Sequence, residues 1–560
     1  MPSRRALWML LAAVALLPFV DLGHPLWEVD DARYAEIPRE MVERGDWLSP
    51  TLNYLDYVEK PPLPYWLGCL SYKVFGVSEA AARLPLALFG LLALAATAWL
   101  GAWLFTVETG LAAAAILGTC VQFSALTHAL TPDLPLTAAL AWTSALWLRA
   151  MRRPEDAAWA GTGAGIAMGA AVLCKGLVGL VFPVAWALGL AVLFPDLRQG
   201  LRRSVLGSGL VPAFLLVAAP WFAVMERRHP GFLAFFFGEQ HFQRFLAGAS
   251  KYRRSGAWHY FVPVELAGSL PWTPAILAAL GTVAARWRSA DRRLVELALW
   301  AAGVFAFFSI SSSKLPTYIT PLFPHQCLIA AHFLLAQGED RRLQAWRRGL
   351  AFGLGGLLLL ALPALPSAVA GVAGEPLPPA ALAAGIATAG ALAGGTLALC
   401  LADPLRRLAV PAALGGLAAC AALGGARVAE RWISARPLAA AIARELRPGD
   451  RIISYGIYLH ALPFYTLRPV DLVNWVGELH YAKRDPANAG RFGDDDTIRR
   501  LPRAGGSTFV ALRRKEAPWV TTLAEPGEIA EMLSFGAWAL VRFPPARGDP
   551  GATAGPAGRR

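Results

Sequence analysis

The sequence predicts a polytopic α-helical membrane protein with juxtamembrane helices on its outer face and a small C-terminal α/β domain. Composition gives the first reason: of 560 residues, 56% are hydrophobic and 16% are charged, against about 25% charged in soluble proteins. Apolar runs give the second, because they recur near the ~20 residues a helix needs to cross a ~30 Å hydrocarbon core. The third is charge placement, since the arginines fall in alternate loops between those runs, the bias that orients membrane proteins.

In chain order the runs cover residues 6–22, 80–104, 109–127, 131–149, 158–174, 176–194, 204–224, 266–286, 294–310, 316–336, 347–369, 379–401 and 408–426, about 13 spans. Gly161 to Leu193 is nearly continuous and divides only at Lys175-Gly176. With a cytoplasmic N-terminus, the inner loops hold Arg149, Arg152 and Arg153, then Arg198, Arg202 and Arg203, then Arg286, Arg288, Arg292 and Arg293. Arg341, Arg342, Arg347, Arg348, Arg406 and Arg407 continue the series, while the outer loops 127–131 and 370–378 carry no cation. Hydropathy and loop charge therefore agree on one topology. It places 23–78, 225–265 and the tail from about 428 outside. The predicted domains are a membrane domain, 1–427, a C-terminal domain, 428–545, and a disordered tail, 546–560.

Other features narrow the class. Arg4-Arg5 followed by Ala6 to Val20 resembles a signal peptide, but no small-x-small cleavage site follows, so it reads as an uncleaved first span. The six cysteines are scattered, without a CxxC, and read as small buried hydrophobes. The net charge of +13 is accounted for by the inner loops, which argues against nucleic acid as a partner.

The first outer stretch is expected to hold two helices lying along the membrane surface. Asp30-Asp31 would cap the first, Ala32 to Val42, which Pro38 would shorten. Pro61-Pro62-Leu63-Pro64 would open the second, Tyr65 to Phe75. In the tail, Pro437 to Leu446 reads as a helix, and Arg451–Tyr455, Val470–Trp475, Thr508–Arg513 and Ala537–Phe543 read as strands. Neither a GxGxxG nor a P-loop is present, so nothing there suggests a nucleotide.

Chemistry-bearing groups collect on the predicted outer face: Asp30, Asp31, Glu59 and Lys60, then Asp133, Lys175, His241, Arg244, Lys314 and Tyr318. Acids and cations beside an apolar bundle suit an amphiphilic, anionic substrate. Each group also has a structural reading. Asp30, Asp31 and Asp133 could cap helices, and Glu59-Lys60 could be a surface ion pair. Arg244 could bind a lipid headgroup, and Lys175 and Lys314 could snorkel to the surface. His241 could be a hydrogen-bonded interface histidine. No second His or Cys stands at ligand spacing from it, so no metal is assigned, although the outer carboxylates with His241 could hold a divalent ion.

Several motifs carry a family resemblance. Asp30-Asp31-Ala32-Arg33-Tyr34-Ala35-Glu36, Gly45-Asp46-Trp47 and Glu59-Lys60-Pro61-Pro62-Leu63-Pro64-Tyr65-Trp66 resemble the signature of the GT-C membrane glycosyltransferases. Glu239-Gln240-His241-Phe242-Gln243-Arg244 and Ser313-Lys314-Leu315-Pro316-Thr317-Tyr318 match two further motifs, and Asp471-Leu472-Val473-Asn474-Trp475 with Glu478 extends the likeness into the tail. The closest branch is the 4-amino-4-deoxy-L-arabinose (aminoarabinose) lipid A transferases, related to protein O-mannosyltransferase-like enzymes.

That resemblance implies a bacterial inner-membrane enzyme whose donor is a sugar on undecaprenyl phosphate. Its acceptor would be lipid A or another periplasmic molecule, and no cofactor would be required. Asp30 and Asp133 would be the catalytic acids. Lys60 and Arg244 would hold the donor phosphate, with Tyr57 and Tyr318 beside the donor. Asp31, Arg33, Tyr34, Glu59, Lys175, His241 and Lys314 would line the cavity. The family often opens its motif with Asp-Glu where this chain has Asp30-Asp31. The alternatives are transfer of another sugar to protein, lipid or polysaccharide, a transporter or flippase, and a non-catalytic scaffold. A transporter would gather its charges in broken helices at mid-membrane, and a scaffold would leave the acid–cation cluster without a role.

Overall fold

A computed structural model describes residues 2–243, 257–336, 341–367, 378–501, 506–524 and 528–544. Arg244 and the tail expected to be disordered, 546–560, lie outside the described residues. By internal contacts the chain divides into two compact units, 1–22, 59–67 and 80–428 forming one, and 23–58, 68–79 and 429–560 the other. Most of the first outer stretch, expected with the membrane part, thus groups with the tail.

The first unit is a polytopic helical membrane protein. Among the described residues seven helices are long and apolar enough to cross, or eight if one bent pair counts as a span. Val107–Thr119 and Val178–Leu193 are shorter apolar helices. Two expected spans are broken. The run 109–127 becomes Val107–Thr119 and Val121–Leu126, with Cys120 extended between them. The run 266–286 becomes Phe261–Gly268 and Thr273–Ala285, which meet at 119°. Pro271 and Pro274 explain that bend, because proline lacks the N–H that a helix interior requires and disfavours a helical residue before it.

Small residues bring two helices close. Gly161, Gly165 and Gly169 lie on one face of the helix Ala157–Lys175. A side chain at those positions would enter Ser208, the Leu210 carbonyl and Val217, respectively. Glycine at four-residue spacing is a common way for membrane helices to pack at short range. Here it fixes the helix that ends in Lys175 against Leu210–Arg228.

The second unit is an α/β domain. Its hairpin pairs strands β1 (Thr51–Leu52) and β2 (Leu55–Asp56). Asn53 and Tyr54 at φ +58° and +59° have the backbone of a I′ turn, which matches strand twist. The main sheet contains β3 (Arg451–Tyr455), β4 (Asp471–Val473), β5 (Phe492–Gly493), β6 (Thr508–Arg513), β7 (Glu531–Phe535) and β8 (Trp538–Phe543), in the order β5-β4-β3-β6-β8-β7. Neighbours from β5 to β6 are parallel, and β8 and β7 are antiparallel. Ile453, Val473, Val510, Leu512 and Val541 form the core with Ile498, Val520 and Phe543. The helix Arg436–Glu445 buries Leu438, Ala439 and Ile442, one apolar stripe at helical spacing. The tail's expected helix and strands match these elements within two residues, while the hairpin, β5 and β7 escaped the sequence reading.

The helix carrying the opening motif runs over Asp30–Arg44. It corrects three expectations. Its N-cap is Val29, so Asp30 and Asp31 occupy the first turn instead of capping it. Pro38 does not shorten it; Arg39 bonds Glu36 and Glu43, each at 2.6 Å, and these pairs hold together the turns around the proline. Every residue from Asp31 to Met41 is buried, so the helix is a core element and not one lying on a surface.

Candidate active site

In the membrane unit, Asp133 opens the helix Asp133–Arg152 and Lys175 closes the helix Ala157–Lys175. An acid at a helix N-terminus and a cation at a C-terminus each interact favourably with the helix dipole. The two side chains form an ion pair, 13% and 4% exposed for Lys175 and Asp133. Lys175 Nζ also lies 4.1 Å from the centre of the Tyr318 ring, a cation–π distance.

The chain reverses at Gly176, with φ +79°. A Cβ there would enter the His241 ring, so the turn and the histidine share one space. His241 Nδ1 lies 2.7 Å from the Phe236 carbonyl, and its Nε2 accepts the Leu177 N–H at 3.3 Å. A carbonyl only accepts, so the proton is on Nδ1 and the ring is neutral. The preceding residue, Gln240, donates to Glu59 Oε1 at 3.3 Å. The segment Ala234–Gln243 therefore connects Glu59 to the turn after Lys175. Lys60 is half-buried.

Lys314 departs from expectation. It is 5% exposed, and its ammonium donates to the carbonyls of Phe308, Ser309 and Ser311 at 3.1, 2.8 and 2.7 Å. All three N–H donors of a lysine are thereby spent. It does not snorkel; it closes the last turn of the helix Arg292–Ile310, whose carbonyls lack helical partners.

The second unit holds the other group. Arg33 forms an ion pair with Asp30, and its Nη1 donates to Glu478 Oε1 at 2.9 Å. Its guanidinium also stands over the Tyr34 ring at 5.4 Å. His460 Nε2 lies 2.6 Å from the same Glu478 oxygen. Glu28 accepts the N–H groups of His460 and Ala461 at 2.9 and 3.0 Å. Asp31 accepts the Trp27 N–H at 3.1 Å, a loop-fixing role. Tyr57 is buried in the same unit.

Burial and charge set the protonation of this group. Burial pushes the Glu28 carboxyl up to about 8, although two backbone N–H bonds oppose it. Burial would raise Glu478 too, but His460 and Arg33 outweigh it and hold the carboxyl well below the usual range. Burial holds His460 below its ordinary value against the pull of Glu478. Neutral His460 donates its Nε2–H to ionised Glu478. The result is a fixed chain from His460 through Glu478 and Arg33 to Asp30. The Arg33 side chain is 9% exposed and Asp30 is 36% exposed. Asp30 is thus the most exposed member of this chain, and the Arg33 guanidinium orients its carboxylate.

The positions of His460 and Glu478 follow from the sheet. Connections leave β3 toward β4 on one side, and β6 returns on the other, so β3 is a switch point of the strand order. In open sheets of this kind ligands bind beyond the carboxyl ends of the strands. The loop after β3 carries Tyr458 and His460, and the loop after β4 carries Trp475 and Glu478. Tyr458 lies 4.1 Å from His460 and 5.5 Å from Trp475 by ring centres. The sequence reading gave Glu28, Tyr458, His460, Trp475 and Glu478 no role. The available signal was polar loops directly following short apolar strands.

Among the described residues no three His, Cys, Asp or Glu side chains cluster in a way that could hold a metal ion.

Comparison with known proteins gives a consistent picture. Residues 59–223 match a family described as dolichyl-phosphate-mannose-protein mannosyltransferase. The chain is 32% identical over 357 residues to the undecaprenyl phosphate-alpha-4-amino-4-deoxy-L-arabinose arabinosyl transferase of Aeromonas hydrophila, covering 60% of this chain and 62% of that one. The corresponding transferase of Yersinia pestis is 31% identical over 57% of each chain. The match thus spans about three fifths of the length of these relatives. The crystal structure of ArnT from Cupriavidus metallidurans bound to undecaprenyl phosphate superposes with a TM-score of 0.81 at 28% identity, over 99% of this chain and 100% of that one. The archaeal oligosaccharyltransferase AglB of Archaeoglobus fulgidus shares the fold alone, at 14% identity and a TM-score of 0.51.

Proposed function

We propose that this chain, similar from end to end to ArnT, is a GT-C membrane glycosyltransferase that takes its sugar from undecaprenyl phosphate. The reading extends to the substrate: 4-amino-4-deoxy-L-arabinose, moved to a lipid A phosphate. The full-length likeness to a structure holding undecaprenyl phosphate is the observation that carries it.

The chemistry asks for few groups. An acceptor oxygen attacks the anomeric carbon, the bond from that carbon to the polyprenyl phosphate breaks, and the electron pair leaves with the phosphate. In-line displacement inverts the carbon. Charge grows on the leaving phosphate, so cations aimed at it stabilise the transition state more than the ground state. Lys60 and Arg244 take that role in this reading. Arg grips two phosphate oxygens, and Lys acts as a point charge. The resemblance also assigns Tyr57 and Tyr318 to donor binding. Lys175 is held in place by its ion pair with Asp133. A lipid A phosphate is already ionised and needs no base, so Asp30 orients the acceptor or balances the cations. A hydroxyl acceptor would instead give its proton to Asp30. The reaction needs no cofactor in this reading.

We also infer thirteen crossings, a cytoplasmic N-terminus and a periplasmic C-terminal domain in a bacterial inner membrane, with a domain boundary near residue 428. The alternating arginine loops support that orientation.

The family match over residues 59–223 favours one second reading, transfer of another sugar to a protein. Mass spectrometry of lipid A from cells with and without this protein separates the two. Loss of a pentosamine from lipid A supports the first. Unchanged lipid A refutes it.

A further inference from the structure

The helix that begins with Asp133 ends at Arg152, ~30 Å away at 1.5 Å per residue. At that far end the membrane unit has an open polar pocket of about 280 Å³, lined by Arg152, Arg203 and Arg292 among others. We propose that this cavity binds a phosphate group, either on a lipid headgroup or free in solution.

Arginines on one membrane face are ordinary, and most are solvated or paired. These three are arranged differently. Glu296 is fully buried and accepts Arg152 Nη2 at 2.6 Å and Arg292 Nε at 3.0 Å. Two guanidiniums are thereby locked in orientation by a carboxylate that water does not reach. Arg203 Nη2 reaches only as far as the Met151 carbonyl, at 3.4 Å. Arg203 Nε and Arg292 Nη2 are buried and have no hydrogen-bond partner among the described residues. Buried N–H groups of a charged side chain are costly to leave unpaired. An oxyanion supplies what they lack.

The remaining wall agrees with an anion. The helix Leu197–Leu206 starts at the cavity, which its first-turn residues Leu197, Gln199 and Gly200 line. Its positive end adds to the field of the arginines. Asp196 accepts Arg292 Nη1 at 2.6 Å, and its side chain is 64% exposed. It holds that N–H in place until a stronger acceptor arrives. Three arginines against Asp196 and Glu296 leave one positive charge. Arg presents paired N–H groups that suit phosphate geometry.

The test uses full-length, delipidated protein in a neutral detergent. Its Tm is followed against inorganic phosphate and, separately, against short-chain phosphatidylglycerol, with chloride at matched ionic strength as reference. A saturable rise with both probes assigns free phosphate chemistry, and a rise with the lipid alone assigns a headgroup. Arg203→Gln should weaken the apparent affinity roughly tenfold, the worth of a charge-assisted hydrogen bond. Asp196→Asn frees Arg292 Nη1 and should tighten binding severalfold. No saturable response to either probe overturns the proposal. So does wild-type affinity in Arg203→Gln, which would place the binding at another phosphate site. If Arg203→Gln does not fold, Asp196→Asn decides alone: unchanged affinity overturns the proposal.

Discussion

Glu478 Oε1 receives both His460 Nε2, at 2.6 Å, and Arg33 Nη1, at 2.9 Å. One carboxylate oxygen from the loop after β4 thereby fixes the arginine that holds Asp30. Asp30→Asn should lower kcat with lipid A, whose acceptor it orients, and should lower it at least about a hundredfold with a hydroxyl acceptor, the usual scale for losing a general base. Glu478→Gln should lower kcat less and leave KM nearly unchanged, because it disturbs only the aim of Asp30. Steady-state transfer kinetics on both variants check this; wild-type kcat in folded Asp30→Asn removes Asp30 from the mechanism.

Glu28 gives a pH signature. Its carboxyl lies at about 8 in the folded protein against 4.5 as the ordinary value. Between those values the unfolded chain has released a proton that the folded chain keeps, so stability from this group falls as pH rises. Neutral, buried His460 works the other way, but only below about 6.5, where the unfolded histidine gains its proton. From about pH 6.5 to 8 the histidine contribution is absent and raised buried carboxyls remain, Glu28 with Glu36 and Glu40, which burial also raises. Wild-type Tm should decline across that window, and Glu28→Gln should lessen the decline by the share that belongs to Glu28. An equal slope in both proteins contradicts the assignment.

The Asp133–Lys175 pair predicts a coupling. Both side chains are largely buried, and removing one partner strands the other charge at a cost of roughly 3–5 kcal/mol. Asp133→Asn with Lys175→Met together should cost clearly less than the sum of the two single changes. Denaturation of the four proteins in the same micelle gives the cycle. Additive effects would mean that the two groups do not stabilise each other.

Lys314 should behave as a helix-closing residue. Lys314→Met leaves three carbonyls without their donor and should destabilise by about 3 kcal/mol, with unpaired buried acceptors at about 1–3 kcal/mol each and partial relaxation. KM for the lipid donor should stay within twofold of wild type. A large KM change with unchanged Tm would restore the cavity role that its motif suggested.

These cases mark what the sequence could reveal. Hydropathy and arginine placement are summed over many residues, so the helical membrane class survives local errors. The same averaging hid the breaks at Cys120 and Pro271, where one or two residues decide. Charges beside a bilayer are conspicuous, so Asp30, Arg33, Asp133 and Lys175 stand out in the sequence as candidates. Sequence does not distinguish Lys175, paired and set over Tyr318, from Lys314, spent on carbonyls, since both read as a lone lysine at an outer turn. His460 and Glu478 are 427 and 445 residues from Arg33. Only the order of β3, β4 and β6 brings them to it, and strand order is not written in local pattern.

The most direct test is transfer itself. Purified full-length protein is incubated in micelles with synthetic undecaprenyl-phosphate-linked 4-amino-4-deoxy-L-arabinose and lipid A, and the lipids are read by mass spectrometry. The account predicts lipid A carrying one added pentosamine together with free undecaprenyl phosphate, and less of both products in the same time with Asp30→Asn. Unmodified lipid A and intact donor after incubation with folded wild-type protein would contradict it.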